Sequence, residues 1–320
     1  MKKLLSAFTA ALMLLLCSCT AISENEDALP AAATVAEPQP YPVEEGNLIF
    51  NSSPVTVGSL SPAVTEMIYE LGYGDRLICR SSYCDTPEAV LSLPETGSAA
   101  NPDIDKIISY APELLITQSP IANKDTVRLS EAGISLLTLP APTSLEELYD
   151  NYAALADIFA GSIEGNSLAE NTLADMKSAV NGAKSSCESI VFIMNIDGDE
   201  ITAGTGDSFA GDLFSVFGRN IAENDTDYTI TAEELIKADP QYIFLARPLS
   251  ASDFDSELAE QLSAFSEDHV FSIDASITER PTARLAETIR SVSEVMTGTN
   301  AETTEFTGGY AEIHETSEQR

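Results

Sequence analysis

The segment Ser162-Ile-Glu-Gly-Asn-Ser-Leu-Ala-Glu-Asn-Thr-Leu-Ala-Asp-Met-Lys-Ser-Ala-Val-Asn-Gly-Ala-Lys-Ser-Ser186, near the middle of the 320-residue chain, decides the fold. Ala169, Leu173, Met176, Val180, Ala183 and Cys187 recur at steps of four and three, giving one apolar face, with Glu170, Asp175, Lys177 and Lys184 largely off it. The spacing predicts one helix of about 25 residues, about 40 Å long, too long for an ordinary crossover inside a small α/β lobe. We read residues 162–187 as a connecting helix.

The chain repeats itself on either side of this helix. Asp105-Lys-Ile-Ile-Ser-Tyr-Ala-Pro112-Glu-Leu-Leu-Ile116 before it matches Glu233-Glu-Leu-Ile-Lys-Ala-Asp-Pro240-Gln-Tyr-Ile-Phe244 after it. In each, an acidic residue stands seven positions before a proline and an apolar strand run follows. A short helix stopped by proline and then a buried strand is half of a βαβ unit. The expectation is therefore an α/β protein of two doubly wound lobes, 48–161 and 188–298, joined by a single long helix.

Lys2 and Lys3, the apolar run over 4–16 and Leu16-Cys17-Ser18-Cys19 read as an export signal over 1–18. The cleavage site resembles a bacterial lipobox, which makes Cys19 the expected lipid anchor; the alternative is a plain secretory leader cut nearby. Two acyl chains are enough for stable attachment. Residues 19–47, rich in Ala, Pro and Glu, read as a flexible linker, and 299–320 as an acidic tail.

Charge is the compositional outlier, with 51 acidic against 16 basic residues and a formal net charge of −35. Such a surface disfavours nucleic acid and anionic headgroups and suits a basic partner or a neutral or cationic ligand. Cys79, Cys84 and Cys187 remain beyond the leader, without metal-type spacing. Cys79 and Cys84 are close enough in sequence to pair, but buried free thiols are the favoured reading.

Ser61 is placed to cap a helix with Pro62 at its first position and Gly72 at its end, after a strand over 56–59. That loop lies at a carboxyl strand end, where open α/β sheets bind ligands. Tyr83 follows a second strand, 77–80, and either faces a ligand at the same edge or packs on Pro87. In the second lobe Asp197-Gly198 marks a hairpin, and Gly204-Thr-Gly206-Asp-Ser-Phe209 reads as a tight turn bringing Phe209 to the cleft. Arg247 stands at a strand end, Arg280 opens the final loop, and Arg284 is expected one turn into the last helix. Enzyme signatures are mostly absent: there are two histidines, His269 and His314, no nucleophile elbow and no phosphate-binding loop. Paired-carboxylate hydrolysis stays open in a chain with 51 acids, although nothing singles out a pair.

Ser59-Leu-Ser61-Pro-Ala-Val-Thr65-Glu66, Ser-Tyr83-Cys-Asp-Thr-Pro87, the Asp105 block and Arg280-Pro-Thr-Ala-Arg284-Leu together resemble the extracytoplasmic binding proteins of ABC importers for vitamin B12, haem and iron siderophores. The resemblance covers residues 48–298. It implies two α/β lobes with a backbone helix and a ligand cleft between them, no enzymatic activity and no resident cofactor or metal. The implied partners are a small-molecule ligand and an ABC permease in the cytoplasmic membrane, with the chain acting as a monomer. It also implies that an acidic residue on each lobe docks onto the permease, here Asp105 and Glu233; the first position is Glu in most of the family, and Asp105 is one methylene shorter. The Tyr83 and Arg280 blocks look most like the vitamin B12 members, although B12 members often carry cleft tryptophans and this chain has none. The runner-up is a ferric siderophore, for which Arg80, Arg247 and Arg280 would supply the cations, or haem, for which Tyr83 would supply an axial ligand. Two other classes are a tethered sensory protein that has lost transport and, less favoured, a hydrolase.

Overall fold

The computed structural model describes residues 39–183, 187–274 and 276–297. The leader, Cys19, most of the linker, residues 184–186 and the acidic tail lie outside them.

The chain enters through a hairpin of β1 (Val43–Glu45) and β2 (Leu48–Phe50). Then follow β3 (Val57–Ser59), α1 (Pro62–Glu70), β4 (Leu77–Arg80), α2 (Ile104–Tyr110), β5 (Leu114–Thr117), α3 (Asn123–Glu131) and β6 (Ser135–Thr138). Helices α4 (Leu145–Ala160) and α5 (Gly165–Ala183) lead to the second half. That half contains β7 (Ser189–Asp197), β8 (Glu200–Ala203), α6 (Phe209–Ser215), β9 (Arg219–Asn220), β10 (Thr229–Thr231), α7 (Ala232–Ala238) and β11 (Tyr242–Ala246). It ends with the single turns α8 (Ser256–Ala259) and α9 (Ser263–Ser266), strand β12 (Val270–Ile273), the turn α10 (Ser276–Glu279) and helix α11 (Leu285–Met296).

The first sheet is four parallel strands in the order β4-β3-β5-β6. The second runs β10-β8-β7-β11-β12, with β9 alongside β7; β7, β9, β11 and β12 are parallel, while β8 pairs antiparallel with both β7 and β10. Strand alternation explains how both faces of each sheet are covered. Leu114 and Ile116 of β5 point into the largest core, whereas Leu115 joins Ile107 and Leu129 on the opposite face. Tyr242 and Phe244 of β11 point into the same largest core, whereas Ile243 joins Leu235 on the far side of the second sheet.

The sequence repeat is thus a repeat of structure. Asp103 and Thr231 cap α2 and α7; Ala111 and Asp239 close them in left-handed conformation, with φ of 49° and 40°. Pro112 and Pro240 then release the chain into β5 and β11. The left-handed residue turns the helix end back toward the sheet, and the proline prevents another helical turn.

Helix α5 falls inside the expected segment but is shorter than expected, and it does not stand alone. Its 19 residues rise about 28 Å. Four residues connect it to α4, and α11 packs on it from the other end of the chain. Ala169, Leu173, Met176, Val180 and Ala183 are buried in the core that also holds the inner faces of both sheets.

Two expectations are corrected here. The linker does not reach residue 47: Val43 and Phe50 are core residues, and Tyr41 Oη donates to the carbonyls of Ile158 and Phe159 at the end of α4. A three-residue strand leaves too little periodicity to register among prolines and glutamates. Arg284 is the N-cap of α11 rather than a residue one turn inside it.

Leu173→Ala is expected to destabilise the protein by about 2–5 kcal/mol in urea unfolding, the cost of a large-to-small change in a closed core. Glu170→Ala, on the exposed face of the same helix, is expected to cost about 0.5 kcal/mol or less.

Candidate ligand-binding site

The carboxyl ends of β3, β4 and β5 open onto a cavity of about 640 Å³. Leu60, Pro62 and Ala63 follow β3, Tyr83 follows β4, and Gln118 to Ala122 follow β5. Residues 98–102 close another side, and Glu279 and Arg280 come from the second half of the chain. The cavity is therefore mainly a first-lobe site with a second-lobe rim, at the strand edge where parallel sheets bind ligands.

Ser61 does not line this space. It is buried, and its hydroxyl accepts from the Val64 amide as the cap of α1 and donates to Gln118 Oε1. Its part is to fix the Gln118 side chain, whose Nε2 has no acceptor among the described residues. Tyr83 lines the cavity with 64% of its surface exposed, not packed away.

The loop carrying Tyr83 is held from beneath by Arg80. Its guanidinium donates to the carbonyls of Ser81 at 3.1 Å, Cys84 at 3.0 Å and Leu93 at 3.2 Å, and pairs with Glu95 at 2.9 Å. Arg80 is buried, with its donors directed to these acceptors. It is a brace for the loop, which removes it from any cationic cluster facing a ligand. Gly97 stands at φ +83°, where a side chain would collide with the Asn101 carbonyl, so the 98–102 loop depends on glycine.

Phe209 is a correction. It is 5% exposed and packs in the main core at the start of α6. The Gly204-Thr-Gly206 turn folds inward on the 220–225 segment: the Gly206 amide donates to the carbonyls of Ala222 and Asp225. A side chain at Gly206 would meet the Glu223 carbonyl. The glycines serve that close packing, so the turn does not deliver Phe209 to a cleft. Arg247 is exposed at the end of β11, outside the cavity lining.

Arg280 reaches across the cavity rim and pairs with Asp85 Oδ1 at 2.7 Å. Four residues on, Arg284 pairs with Glu66 of α1. Between them the Ala283 amide donates to Tyr152 Oη of α4 at 2.7 Å, and Tyr152 donates in turn to Glu70 of α1. The 280–284 segment is thus fastened to first-lobe carboxylates at the rim and behind it. Burial pushes the Glu66 carboxyl up to about 7; Arg284 opposes this, but its guanidinium is 40% exposed and screened by solvent, while Glu66 is 3% exposed. Burial also raises Glu70 and, together with Glu70, raises Tyr152.

Asp105 and Glu233 lie in the first turns of α2 and α7, both exposed. Asp105 pairs with Arg128 of α3, while in α7 it is the neighbouring Glu234 that completes the cap with Thr231. Cys79 and Cys84 are buried free thiols; burial pushes Cys79 up to about 11 and raises Cys84, so neither is a ready thiolate. Among the described residues no group of His, Cys, Asp and Glu is arranged to hold a metal ion, and no helix is long and apolar enough to cross a membrane.

Sequence reasoning missed Asp85, Asn101, Gln118, Asp125 and Glu279 as neighbours of the site. Gln118 is legible as the first residue past β5; Asp85 stands in the Tyr83-to-Pro87 block, where the sequence alone gives it no partner.

The pattern of the periplasmic binding protein family matches residues 57–276. This chain belongs to that family. Its members are solute-binding transport components rather than enzymes, and the two-lobed α/β architecture expected from the sequence is theirs. The chain is 25% identical over 258 residues to an uncharacterised ABC transporter substrate-binding lipoprotein of Bacillus subtilis, covering 78% of this chain and 82% of that one. It is 27% identical over 243 residues to the vitamin B12-binding protein of Vibrio cholerae, covering 73% and 86%. The crystal structure of a periplasmic vitamin B12-binding protein of Vibrio cholerae matches with a TM-score of 0.61 at 21% identity, covering 78% of this chain and 99% of that one. A periplasmic haem-binding protein of the same organism matches with a TM-score of 0.64 at 16% identity, covering 76% and 98%.

Folded-state carboxyl values raised by burial mean that the native protein keeps a proton the unfolded chain has lost. Stability contributed at Glu66 is therefore present below pH about 4.5 and falls as pH rises toward about 7. Glu66→Gln is expected to flatten this fall, by up to about 1.4 kcal/mol per pH unit, when urea midpoints are compared across pH 4.5–8. Parallel profiles for the two proteins would show that Glu66 is ionised throughout.

Proposed function

We propose that this protein is an extracytoplasmic solute-binding lipoprotein, anchored through Cys19, that captures a corrinoid as a monomer and delivers it to an ABC permease. The observation that carries the ligand class is the chemistry of the cavity. Among the described lining residues the one arginine, Arg280, already faces Asp85, and the other charged ones, Asp125 and Glu279, are acidic. The rest of the lining joins the flat face of Tyr83 to neutral hydrogen-bonding groups such as Asn101, Gln118 and Ser119. A large, nearly neutral, amide-rich macrocycle matches that surface; a highly anionic chelate would find no uncompensated cation there. The similarity to a vitamin B12-binding protein supports the same ligand. No resident cofactor is proposed.

Haem is a second reading, favoured by the exposed phenol of Tyr83 as an axial group. Delivery would use Asp105 and Glu233, which the repeat places at equivalent positions for a two-fold symmetric permease. Closure around the ligand would be modest, because one core runs through both lobes.

The purified protein is expected to bind cyanocobalamin with submicromolar affinity in calorimetry, and Tyr83→Ala to weaken binding several-fold. Tight haem binding without cobalamin binding would replace the corrinoid reading. Reversing charge at both Asp105 and Glu233 is expected to abolish uptake in cells while ligand affinity persists; lost affinity would refute the docking role.

A further inference from the structure

The rim of the cavity carries one ion pair that joins residues 195 positions apart, Asp85 and Arg280. Both are only partly shielded, with side chains 54% and 27% exposed. Asp85 lies two residues after Tyr83, on the loop whose carbonyls Arg80 holds, so the loop that presents the aromatic face also presents the carboxylate. Arg280 is the lining arginine, and Asp125 stands 3.9 Å from Arg128, a cation it shares with Asp105.

We infer that Asp85 is a specificity-determining residue: it acts as a built-in anion that occupies Arg280 and thereby turns negatively charged ligands away from the cavity. This rests on the cavity being the ligand site, as proposed above. A carboxylate, phenolate or catecholate entering at this rim would either displace Asp85 from Arg280 Nη1 or approach another nitrogen of the guanidinium with the Asp85 carboxylate beside it. Either course costs the anion the charge-assisted contact that would otherwise attract it. A neutral ligand meets the pair as a single dipolar group and pays no such penalty. The same arginine therefore contributes to lobe contact without making the site an anion receptor.

The test compares Asp85→Asn with the unaltered protein in titrations with cyanocobalamin, as the neutral probe, and a ferric tris-catecholate, as the anionic probe, at low salt. Asp85→Asn preserves the shape of the side chain and removes the negative charge that compensates Arg280, while its Oδ1 can still accept a neutral hydrogen bond. The catecholate affinity is expected to rise roughly two- to fivefold, the range for one partly exposed charge pair, and the gain to shrink at high salt. Adding Arg280→Gln to Asp85→Asn should remove the gain, which a general reduction of negative charge would not predict. An unchanged or weaker catecholate affinity in Asp85→Asn, or a gain that survives Arg280→Gln, overturns the assignment. So does tight catecholate binding by the unaltered protein. Cobalamin binding by the unaltered protein is read separately: its absence alongside an Arg280-dependent catecholate gain would overturn the corrinoid reading and leave the role of Asp85 standing. Thermal melts of each variant separate a lost fold from a lost preference.

Discussion

The structure depends on one apolar core that does not stop at the boundary between its halves. The inner faces of both sheets, represented by Leu114 and Ile116 on one side and Tyr242 and Phe244 on the other, meet the same layer of helices built on α5. Each sheet has its own second core on the outer face, under α2 and α3 or around α7. Relative motion of the halves must therefore keep Leu173, Met176 and their neighbours covered, because interiors packed to crystal-like density do not stretch. Small rotations satisfy this condition; wide opening does not.

Polar contacts add a second constraint near the ligand. The short segment from Arg280 to Arg284 follows a single-turn helix and precedes α11, with little regular structure of its own. Its position is set by partners elsewhere: Asp85 at the rim, Tyr152 and Glu66 behind. Tyr152 and Glu66 are buried, and buried polar groups are costly unless matched, so matching them fixes which arrangement of the halves is lowest in energy. One face of the segment completes the cavity, while the other holds the halves in register. This couples the geometry of the site to the same contacts that join the lobes.

The acidity of the chain and the character of the cavity are also related. A surface with 51 carboxylates against 16 basic side chains attracts cations and repels anions at long range. At short range the cavity repeats this bias, since its arginine is matched by a neighbouring carboxylate. Arg80, which by sequence position looked available to a ligand, is spent on carbonyl groups of the loop beneath Tyr83.

Several features were determined by sequence alone because they are local or periodic. The α5 stripe, the Pro112 and Pro240 repeat, the Ser61 cap with Pro62 behind it, and the strands at Leu77–Arg80 and Tyr242–Ala246 follow from side-chain spacing and backbone restriction. Their physical causes act within a few residues, so neighbouring residues suffice to read them. Tyr83 was legible as a strand-end loop residue. What only the tertiary structure decided was orientation and partnership over long separations. Phe209 turns inward because glycines let its turn pack on the 220–225 segment, and Arg80 turns beneath its loop. Asp85 acquires a role through a residue 195 positions away. The hairpin at Val43–Phe50 joins the body because α4 and the main core offer it a surface. Such outcomes depend on which surfaces meet after the chain has folded, and that information is distributed over the whole sequence rather than held in any one stretch.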